Sequence, residues 1–266
     1  MAERFNDRRL QGVIPWIIPV LGLVSWELAS DSGLLSARLL PAPSSVAVAF
    51  WHTLQDGTLI DSVAVSSWRA LKGLVIGGVL GLALGVVNGL WRPAELLLDS
   101  TLQMLRNVPH LAIIPLVILW FGIGEGAKIF LVTIGVLFPV YINTYHGIRT
   151  IDPSLVEMAR VYGLGPAARF WRVILPGALP SIFVGLRYGL GIMWLTLIVA
   201  ETVSASSGIG YMTMNAREFL QTDVVLLGII IYAVLGKLSD IITKFGEQAA
   251  LQWHPSYARQ QPGAVA

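Results

Sequence analysis

The sequence contains few side chains that could carry out catalysis, and these are scattered. Its four histidines stand at positions 52, 110, 146 and 254, and it has no cysteine. The metal-binding pattern HExxH, the nucleophile pattern GxSxG and the phosphate-binding pattern GxxxxGK[ST] are all missing from the 266 residues. The sequence therefore argues against an enzyme, against a metal site and against nucleotide binding by this chain.

A second group of polar side chains lies within or beside long apolar runs. Ionisable groups at membrane depth are costly and usually face a protein interior or a water path. Arg106 and His110 are four residues apart on one face of a predicted helix, and Asn143 and His146 lie near the end of another. These four residues are candidates for lining a pathway for a polar solute. Alternatively, Arg106 extends to the lipid headgroups, His110 bonds a backbone carbonyl, and the other two bond between helices.

The apolar runs place the chain in a lipid bilayer. The sequence is 55% apolar and 13% charged, with a mean hydropathy of +0.70, whereas a soluble domain has about 25% charged residues. A helix needs roughly 20 mostly apolar residues to cross the hydrocarbon core. We therefore expect an all-α integral membrane protein, one domain over residues 1–266, with transmembrane helices at 13–29, 73–91, 107–124, 129–148, 179–200 and 224–242. The first run is taken as a retained helix; a cleaved signal peptide is the alternative.

About six spans would place both termini on the same side of the membrane. Basic residues favour the cytoplasmic side of bacterial membranes. Cytoplasmic termini would place ten basic residues inside and five outside, which favours that orientation. The inside group is Arg4, Arg8, Arg9, Arg92, Arg149, Arg160, Arg169, Arg172, Lys244 and Arg259. The outside group is Arg38, Arg69, Lys72, Lys128 and Arg217.

Several local features predict how the helices pack. Glycines recur about every fourth residue at 73, 77, 78, 81, 85 and 89, which predicts a face that approaches another helix closely. Residues 41–60 contain an amphipathic segment expected on the external membrane surface, and 204–222 is expected to be an external loop. Lys237 and Asp240 are spaced to pair within one helix, and Glu201 is a possible partner for Arg217.

The segment 149–178 is polar and rich in turn formers, although it lies between two apolar runs. Asp152 before Pro153 is a helix-start signal, and Gly163 can adopt the left-handed conformation that ends a helix. Pro166 then opens a second short helix that is predicted to end before Pro176. An exposed apolar face rimmed by charge indicates docking to a partner. That face is predicted to contain Leu155, Val156, Ala159 and Tyr162.

The spacing of this segment resembles a pattern in the permease subunits of bacterial ABC importers. That pattern is Glu-Ala-Ala, three residues, Gly, nine residues, then Ile-x-Leu-Pro. Met158 and Val173 depart from it but remain apolar. The matching residues here are Glu157, Met158, Ala159, Gly163, Val173, Leu175 and Pro176. Stretches such as LRNVPHLAIIPLVILWFGIGEGAKIF and GIMWLTLIVAETVSASSGIGYM are similar to the aliphatic-sulfonate branch of this superfamily, and the resemblance covers nearly the whole chain.

The resemblance implies a type I ABC importer permease fold, with the chain as a non-catalytic pore subunit in the bacterial cytoplasmic (inner) membrane. It implies a second permease copy, two cytoplasmic ATPase subunits that bind ATP and Mg²⁺, and a periplasmic substrate-binding protein. This chain would itself hold no cofactor and no nucleic acid. The residues implied to couple it to the ATPase are Glu157, Met158, Ala159, Gly163, Leu175 and Pro176.

The resemblance also implies an aliphatic sulfonate as substrate, with taurine or nitrate as alternatives. A sulfonate is a permanent anion, so Arg106 and His110 would suit its pathway. A secondary transporter or channel working alone is a different class of function, and it would not need a docking helix with this spacing. A membrane enzyme is a third class, and the missing catalytic patterns argue against it.

Overall fold

The computed structural model describes residues 8–36, 38–109 and 111–253, with side chains described from residue 17 onward. All regular structure in these residues is helical, without any strand. The elements are α1 (Arg8–Asp31), α2 (Pro43–Gln55), α3 (Thr58–Leu90), α4 (Arg92–Arg106), α5 (Ile114–Phe121), α6 (Glu125–Arg149), α7 (Pro153–Val161), α8 (Pro166–Arg169), α9 (Leu175–Ser204), α10 (Ile209–Glu218) and α11 (Thr222–Ala250), with a π-helical turn at Phe170–Ile174 between α8 and α9.

Four helical stretches are long and apolar enough to cross a membrane: Thr58–Leu90, Glu125–Arg149, Pro166–Ser204 and Thr222–Ala250. They contain the second, fourth, fifth and sixth predicted spans, so the helices predicted there are confirmed. The first predicted span lies in α1, whose 24 residues give a length of about 36 Å. Helix α3 begins at Thr58 rather than near residue 73, because its early polar residues are buried against other helices and bonded there.

The third predicted span, 107–124, is wrong as a continuous helix. Helix α4 ends at Arg106, residues 107–109 and 111–113 are not helical, and α5 covers only eight residues. The Ala112 N–H donates to the Pro109 carbonyl at 2.8 Å, which closes a turn where the helix was expected. Pro115 stands in the first turn of α5, where its missing N–H leaves no helical bond unmade.

Glycines bring α3 and α6 into close contact. A Cβ added at Gly81 would lie 2.6 Å from the Leu137 carbonyl oxygen, and one at Gly89 would lie 2.9 Å from the Ile148 side chain. The predicted packing face is therefore confirmed at positions 73, 77, 81, 85 and 89. Gly78 does not belong to it, since an added Cβ there would have no neighbour within 4 Å.

The register of this contact shows that α3 and α6 are parallel. Gly73 lies against Val132, and Gly89 lies against Ile148, so both helices advance in the same direction. The chain between them must therefore return over the same distance. Helices α4 and α5 contain 15 and 8 residues, and together they supply about 34 Å of rise for that return.

Helix α9 is antiparallel to α6, and α11 is antiparallel to α9. Gly135 faces Thr196 while Gly147 faces Ser181. The Trp194 indole N–H donates to the Ser239 hydroxyl at 2.9 Å across α9 and α11. The bundle thus has two ends, which we name the α7 end and the α10 end after the short helix at each. Its main core cluster includes Val132, Val136, Val140, Leu190, Met193, Leu197 and Tyr232.

Two short helices pack differently from the predictions. In α2, the buried Val46 and Ala49 lie against Leu227 of α11, so this side of the segment is covered by protein, whereas Phe50 is exposed. The segment expected to be a loop at 204–222 contains helix α10, whose Ile209, Met212 and Ala216 are buried. Both short helices lie near the start of α3, at the α10 end of the bundle.

Candidate functional site

Helix α7 is closed at both ends by local hydrogen bonds. The Asp152 carboxylate accepts the Ser154 N–H at 2.9 Å, and the bonds from the Ser154 hydroxyl and N–H lower the pKa of Asp152. At the other end Leu164 N–H donates to the Ala159 carbonyl, and Gly163 N–H donates to that of Arg160, both at 3.0 Å. With φ of +79° at Gly163, this is a Schellman cap. The predicted start and end of the helix are confirmed.

The apolar side chains of α7 divide between two faces. Ala159 is buried and Val156 is half-buried against the chain itself. The outward face carries Leu155, Met158, Val161 and Tyr162, and its last two side chains are 84% and 79% exposed. We name these four residues the outer face of α7. The prediction of one shared face was wrong for Val156 and Ala159, because they pack against the rest of this chain.

Glu157 lies on the side of α7 that faces the bundle. It lines a cleft of about 460 Å³ together with Arg160, Arg149 and the ends of α3 and α6 at Leu90 and Ile148. The cleft separates α7 from the transmembrane helices. Glu157 is therefore placed between the helices and the outer face of α7, and not on that face.

The second helix of this segment does not end before Pro176. Helix α8, the π-helical turn and α9 follow one another without a break, and Leu175 N–H donates to the Phe170 carbonyl in the π register. Pro176 has no N–H to donate, and the wider turn accommodates this gap without ending the helix. Leu175 and Pro176, both half-buried, thus form a continuous joint into α9.

The pathway candidates are not brought together. Arg106 is exposed at the last residue of α4, so it does not share a helix face with position 110, and His110 lies outside the described residues. Asn143 is half-buried between α6 and α9, where its side-chain amide donates to the Pro139 carbonyl at 2.8 Å and its backbone carbonyl accepts the Ser181 hydroxyl at 2.7 Å. His146 is exposed beside the Tyr145 ring.

A polar cluster near the α7 end joins α3, α4 and α6. The Tyr145 hydroxyl donates to Glu95 at 2.6 Å, and Arg149 lies 3.4 Å from the same carboxylate. Tyr141 donates to Asp99 at 3.1 Å and accepts a bond from Asn88. None of these bonds was predicted. The available signal was the four-residue spacing of Glu95 and Asp99, which puts both on one face of α4.

A second cluster, at the α10 end, is centred on Arg69. Its guanidinium donates to Glu125, to Glu201 at 2.8 Å and to the backbone and side chain of Ser207, and these bonds use all five of its N–H groups. Arg69 is 2% exposed and Glu201 is 1% exposed. The prediction that Glu201 pairs with Arg217 was wrong, because its partner is Arg69. We name Ser66, Arg69, Glu125, Lys128, Glu201, Ser207 and Tyr232 the Arg69 cluster.

Ion pairs on α11 involve charges that are more exposed than the Arg69 guanidinium. Lys237 lies 3.3 Å from Asp240, so the predicted pair within the helix is confirmed. Arg187 of α9 contacts Glu247 and also lies 3.4 Å from Asp240. The charge that interrupts the fifth predicted span is therefore balanced by α11.

Residues 75–251 match the family described as binding-protein-dependent transport system inner membrane component. The chain belongs to this family. Its members are ABC transporter permeases, and the all-helical, multi-pass architecture of this chain agrees with that membership. The match includes α7, the joint at Leu175 and Pro176, and Glu201 with the α10 segment that it holds.

Individual relatives extend the match to almost the full length. The chain is 63% identical over 245 residues to an aliphatic sulfonates transport permease protein of Escherichia coli (strain K12), covering 92% of this chain and 93% of that protein. A protein of the same description from Bacillus subtilis (strain 168) is 46% identical, covering 91% and 87%. Among solved structures, a chain of an amino acid ABC transporter with histidines aligns with a TM-score of 0.62 at 18% identity, covering 75% of this chain and 97% of that chain. This last likeness concerns the fold.

Proposed function

We propose that this chain is the pore-forming permease subunit of an ATP-driven importer of aliphatic sulfonates. The observation that carries the proposal is the 63% identity to a permease of that description over nearly the whole of both chains. Taurine and nitrate remain the alternative substrates, since taurine is itself a small aminosulfonate and nitrate is a small oxyanion. A transporter working alone is disfavoured, because α7 presents apolar side chains with no partner among the described residues.

The outer face of α7 is proposed to dock on a separate ATPase subunit, which binds ATP and Mg²⁺. Met158 lies on this face. Ala159 and Gly163 shape the helix beneath it, and Leu175 and Pro176 join the segment to α9. Glu157, exposed at the cleft behind α7, is proposed to cap amides or to pair with a basic residue of this chain or of the ATPase. In this arrangement the outer face contacts the partner, and the other matched residues transmit the movement.

Six membrane crossings with cytoplasmic termini are supported by the arrangement of the helices. Because α3 and α6 are parallel, α4 and α5 together form one crossing between them, beside α1, α3, α6, α9 and α11. The basic residues agree with an α7 end in the cytoplasm. Those at the α7 end are Arg92, Arg149, Arg160, Arg169, Arg172 and Lys244. Those nearer the α10 end are Arg38, Arg69, Lys72, Lys128 and Arg217, and of these Arg69 and Lys128 are paired with Glu125.

The complete importer is proposed to contain two copies of this chain, two ATPase subunits and a periplasmic binding protein at the α10 end, all at the bacterial inner membrane. Arg106, His110 and His146 remain candidates for the pathway. Asn143 is better explained by packing, because its side-chain amide donates to the Pro139 carbonyl within α6 and its backbone carbonyl accepts a bond from Ser181 of α9.

The substrate is tested by growth of a strain that lacks this chain. With pentanesulfonate as the only sulfur source we expect no growth, and with sulfate we expect normal growth. Re-expression of the chain should restore growth on pentanesulfonate. Parallel cultures on taurine as sulfur source and on nitrate as nitrogen source separate the alternatives. Unimpaired growth on pentanesulfonate, or a defect confined to taurine or nitrate, would contradict the sulfonate assignment.

The coupling surface is tested by Val161→Asp, which places a charge on the outer face of α7. We expect loss of ATPase subunit in purifications of the membrane chain. The matched control is Phe219→Asp, at the α10 end, where the side chain is 70% exposed and the ATPase should be retained. Equal ATPase recovery from both variants would count against docking through α7, as would uptake by the chain alone in proteoliposomes without ATP.

A further inference from the structure

Helix α10 is held at its first residues by side chains from other helices. The Ile209 N–H donates to the Ser66 hydroxyl at 2.9 Å, and the Gly210 N–H donates to the Glu201 carboxylate at 2.9 Å. The first amides of a helix have no partner within it, so Ser66 and Glu201 supply the missing acceptors. The negative charge of Glu201 also suits the positive end of the α10 dipole.

The loop before α10 is fitted closely to the same two charges. Gly208 has φ of +103°, and a Cβ added there would lie 2.6 Å from both Arg69 Nη1 and Glu201 Oε1. Ser207, one residue earlier, accepts from Arg69 through its carbonyl at 2.6 Å and its hydroxyl at 2.8 Å. The start of α10 therefore cannot shift independently of Arg69 and Glu201.

Glu201 also stands at the far end of the longest helical path in the described residues. The stretch from Pro166 to Ser204 runs for 39 residues without a break, which gives a length of about 58 Å. Its first turns follow directly on α7, at the opposite end of the bundle. Glu201 lies one turn before the helix ends, and it also accepts the Tyr232 hydroxyl of α11 at 2.9 Å.

We propose that Glu201, held by Arg69, is a positioning residue that passes movement of the α7 segment to α10, and that α10 is the moving part of the external mouth of the pore. The inference rests on the proposed function, since it requires an ATPase at the α7 end. The continuous helix from Pro166 to Ser204 supplies the connection. The bonds from Glu201 and Arg69 then oblige the start of α10 to follow the end of α9.

The test uses the complete complex with a single reporter cysteine. The chain has no cysteine of its own, and Ser206 is exposed in the loop before α10. In a Ser206→Cys chain assembled with cysteine-free partners in nanodiscs, labelling by a polar maleimide is measured with and without a non-hydrolysable ATP analogue. For the otherwise unchanged chain we expect the labelling rate to change about fivefold or more.

Glu201→Gln in the reporter chain should abolish that nucleotide-dependent change while the complex still assembles and hydrolyses ATP. Tyr232→Phe removes one bond to Glu201 and keeps its charge, so it should reduce the change by about half; it decides the question if Glu201→Gln does not assemble. The matched control is Lys237→Gln, which breaks an exposed ion pair within α11 and should leave the response intact. A merely structural role would lower stability but leave the response to nucleotide.

The outcomes separate the two proposals. An undiminished response in Glu201→Gln, or in Tyr232→Phe where that variant decides, overturns the positioning role. ATP hydrolysis by the complex without any response of the reporter also overturns it and leaves the proposed function standing. Failure of the unaltered chain to assemble with an ATPase overturns the proposed function and this inference with it.

Discussion

The two ends of the helix bundle solve opposite problems. At the α10 end, the charges of Arg69 and Glu201 are buried and fully bonded within this chain. At the α7 end, apolar side chains such as Val161 and Tyr162 are exposed without a covering element among the described residues. The buried charges of the α10 end are thus satisfied within this chain, although Phe219 and Leu220 are exposed there as well, whereas the α7 end is the one that we propose another protein covers. A permease whose gate belongs to its own chain and whose ATPase is a separate protein would need this asymmetry.

The largest expected effect comes from breaking the α10 end. Arg69→Met leaves the buried Glu201 carboxylate without its counter-charge, and breaking a buried ion pair on one side costs about 3–5 kcal/mol. Unfolding in detergent, followed by tryptophan fluorescence, measures the loss. The control Arg217→Met removes an exposed charge of α10 and should change stability by less than about 0.5 kcal/mol. Equal losses in both variants would show that the Arg69 cluster does not contribute specially to the stability of that end.

The next largest loss of stability is expected at the glycine contact between α3 and α6, which run between the two ends. Gly81→Ala places a methyl group 2.6 Å from the Leu137 carbonyl oxygen between the parallel helices α3 and α6, and overpacking of this kind costs about 1–3 kcal/mol. Gly78→Ala is the matched control. Its Cβ meets nothing within 4 Å, so alanine should be neutral or stabilise the helix by up to about 1 kcal/mol. The same unfolding measurement separates them, and a result with the signs reversed would refute the glycine register.

Sequence patterns predicted those features that depend on residues close together in the chain. The cap at Asp152 and the left-handed Gly163 were found because both depend on neighbouring residues. The glycine face was found because its spacing matches the helical repeat. Helix α4 was not predicted, and the reason is physical. Helix α4 carries Glu95 and Asp99, which lower its hydropathy, yet both are bonded by α6 in the folded chain.

The Arg69 cluster could not be predicted because its members are far apart in sequence. Arg69 and Glu201 are separated by 132 residues, and nothing local marks either as the partner of the other. Arg217 was the nearer choice for Glu201, but its position on the exposed side of α10 keeps it away. Likewise Ala159 was assigned to the docking face, although only tertiary packing decides that Val156 and Ala159 turn inward.

The α7 end is probed by the conformation that closes α7. Gly163 has φ of +79°, and a residue with a Cβ in this region costs about 1–2 kcal/mol. We expect Gly163→Ala to fray α7 and to lower the substrate transported per ATP hydrolysed, while chain stability at the α10 end is unchanged. Gly163→Asn is the milder companion, because asparagine tolerates the left-handed region. Unaltered transport per ATP hydrolysed in Gly163→Ala would contradict the proposal that α7 couples this chain to the ATPase.

The smallest expected effect concerns the other end of α7 and depends on pH. The bonds from Ser154 lower the pKa of Asp152, so its ionised form is favoured in the folded chain. A carboxylate with a lowered pKa stabilises the fold above its ordinary pKa, and this contribution is lost as the pH falls through the lowered value. Hydrogen exchange at the Ser154 amide should therefore be protected near neutrality and speed up in acid, after correction for intrinsic rates.

Asp152→Ala should raise that exchange severalfold at neutral pH, whereas Asp152→Asn, which keeps an acceptor oxygen at the cap, should raise it less and remove the acid transition. Exchange at the Ser154 amide that stays unchanged from neutral pH into acid, after the same correction, would contradict this role of the Asp152 cap.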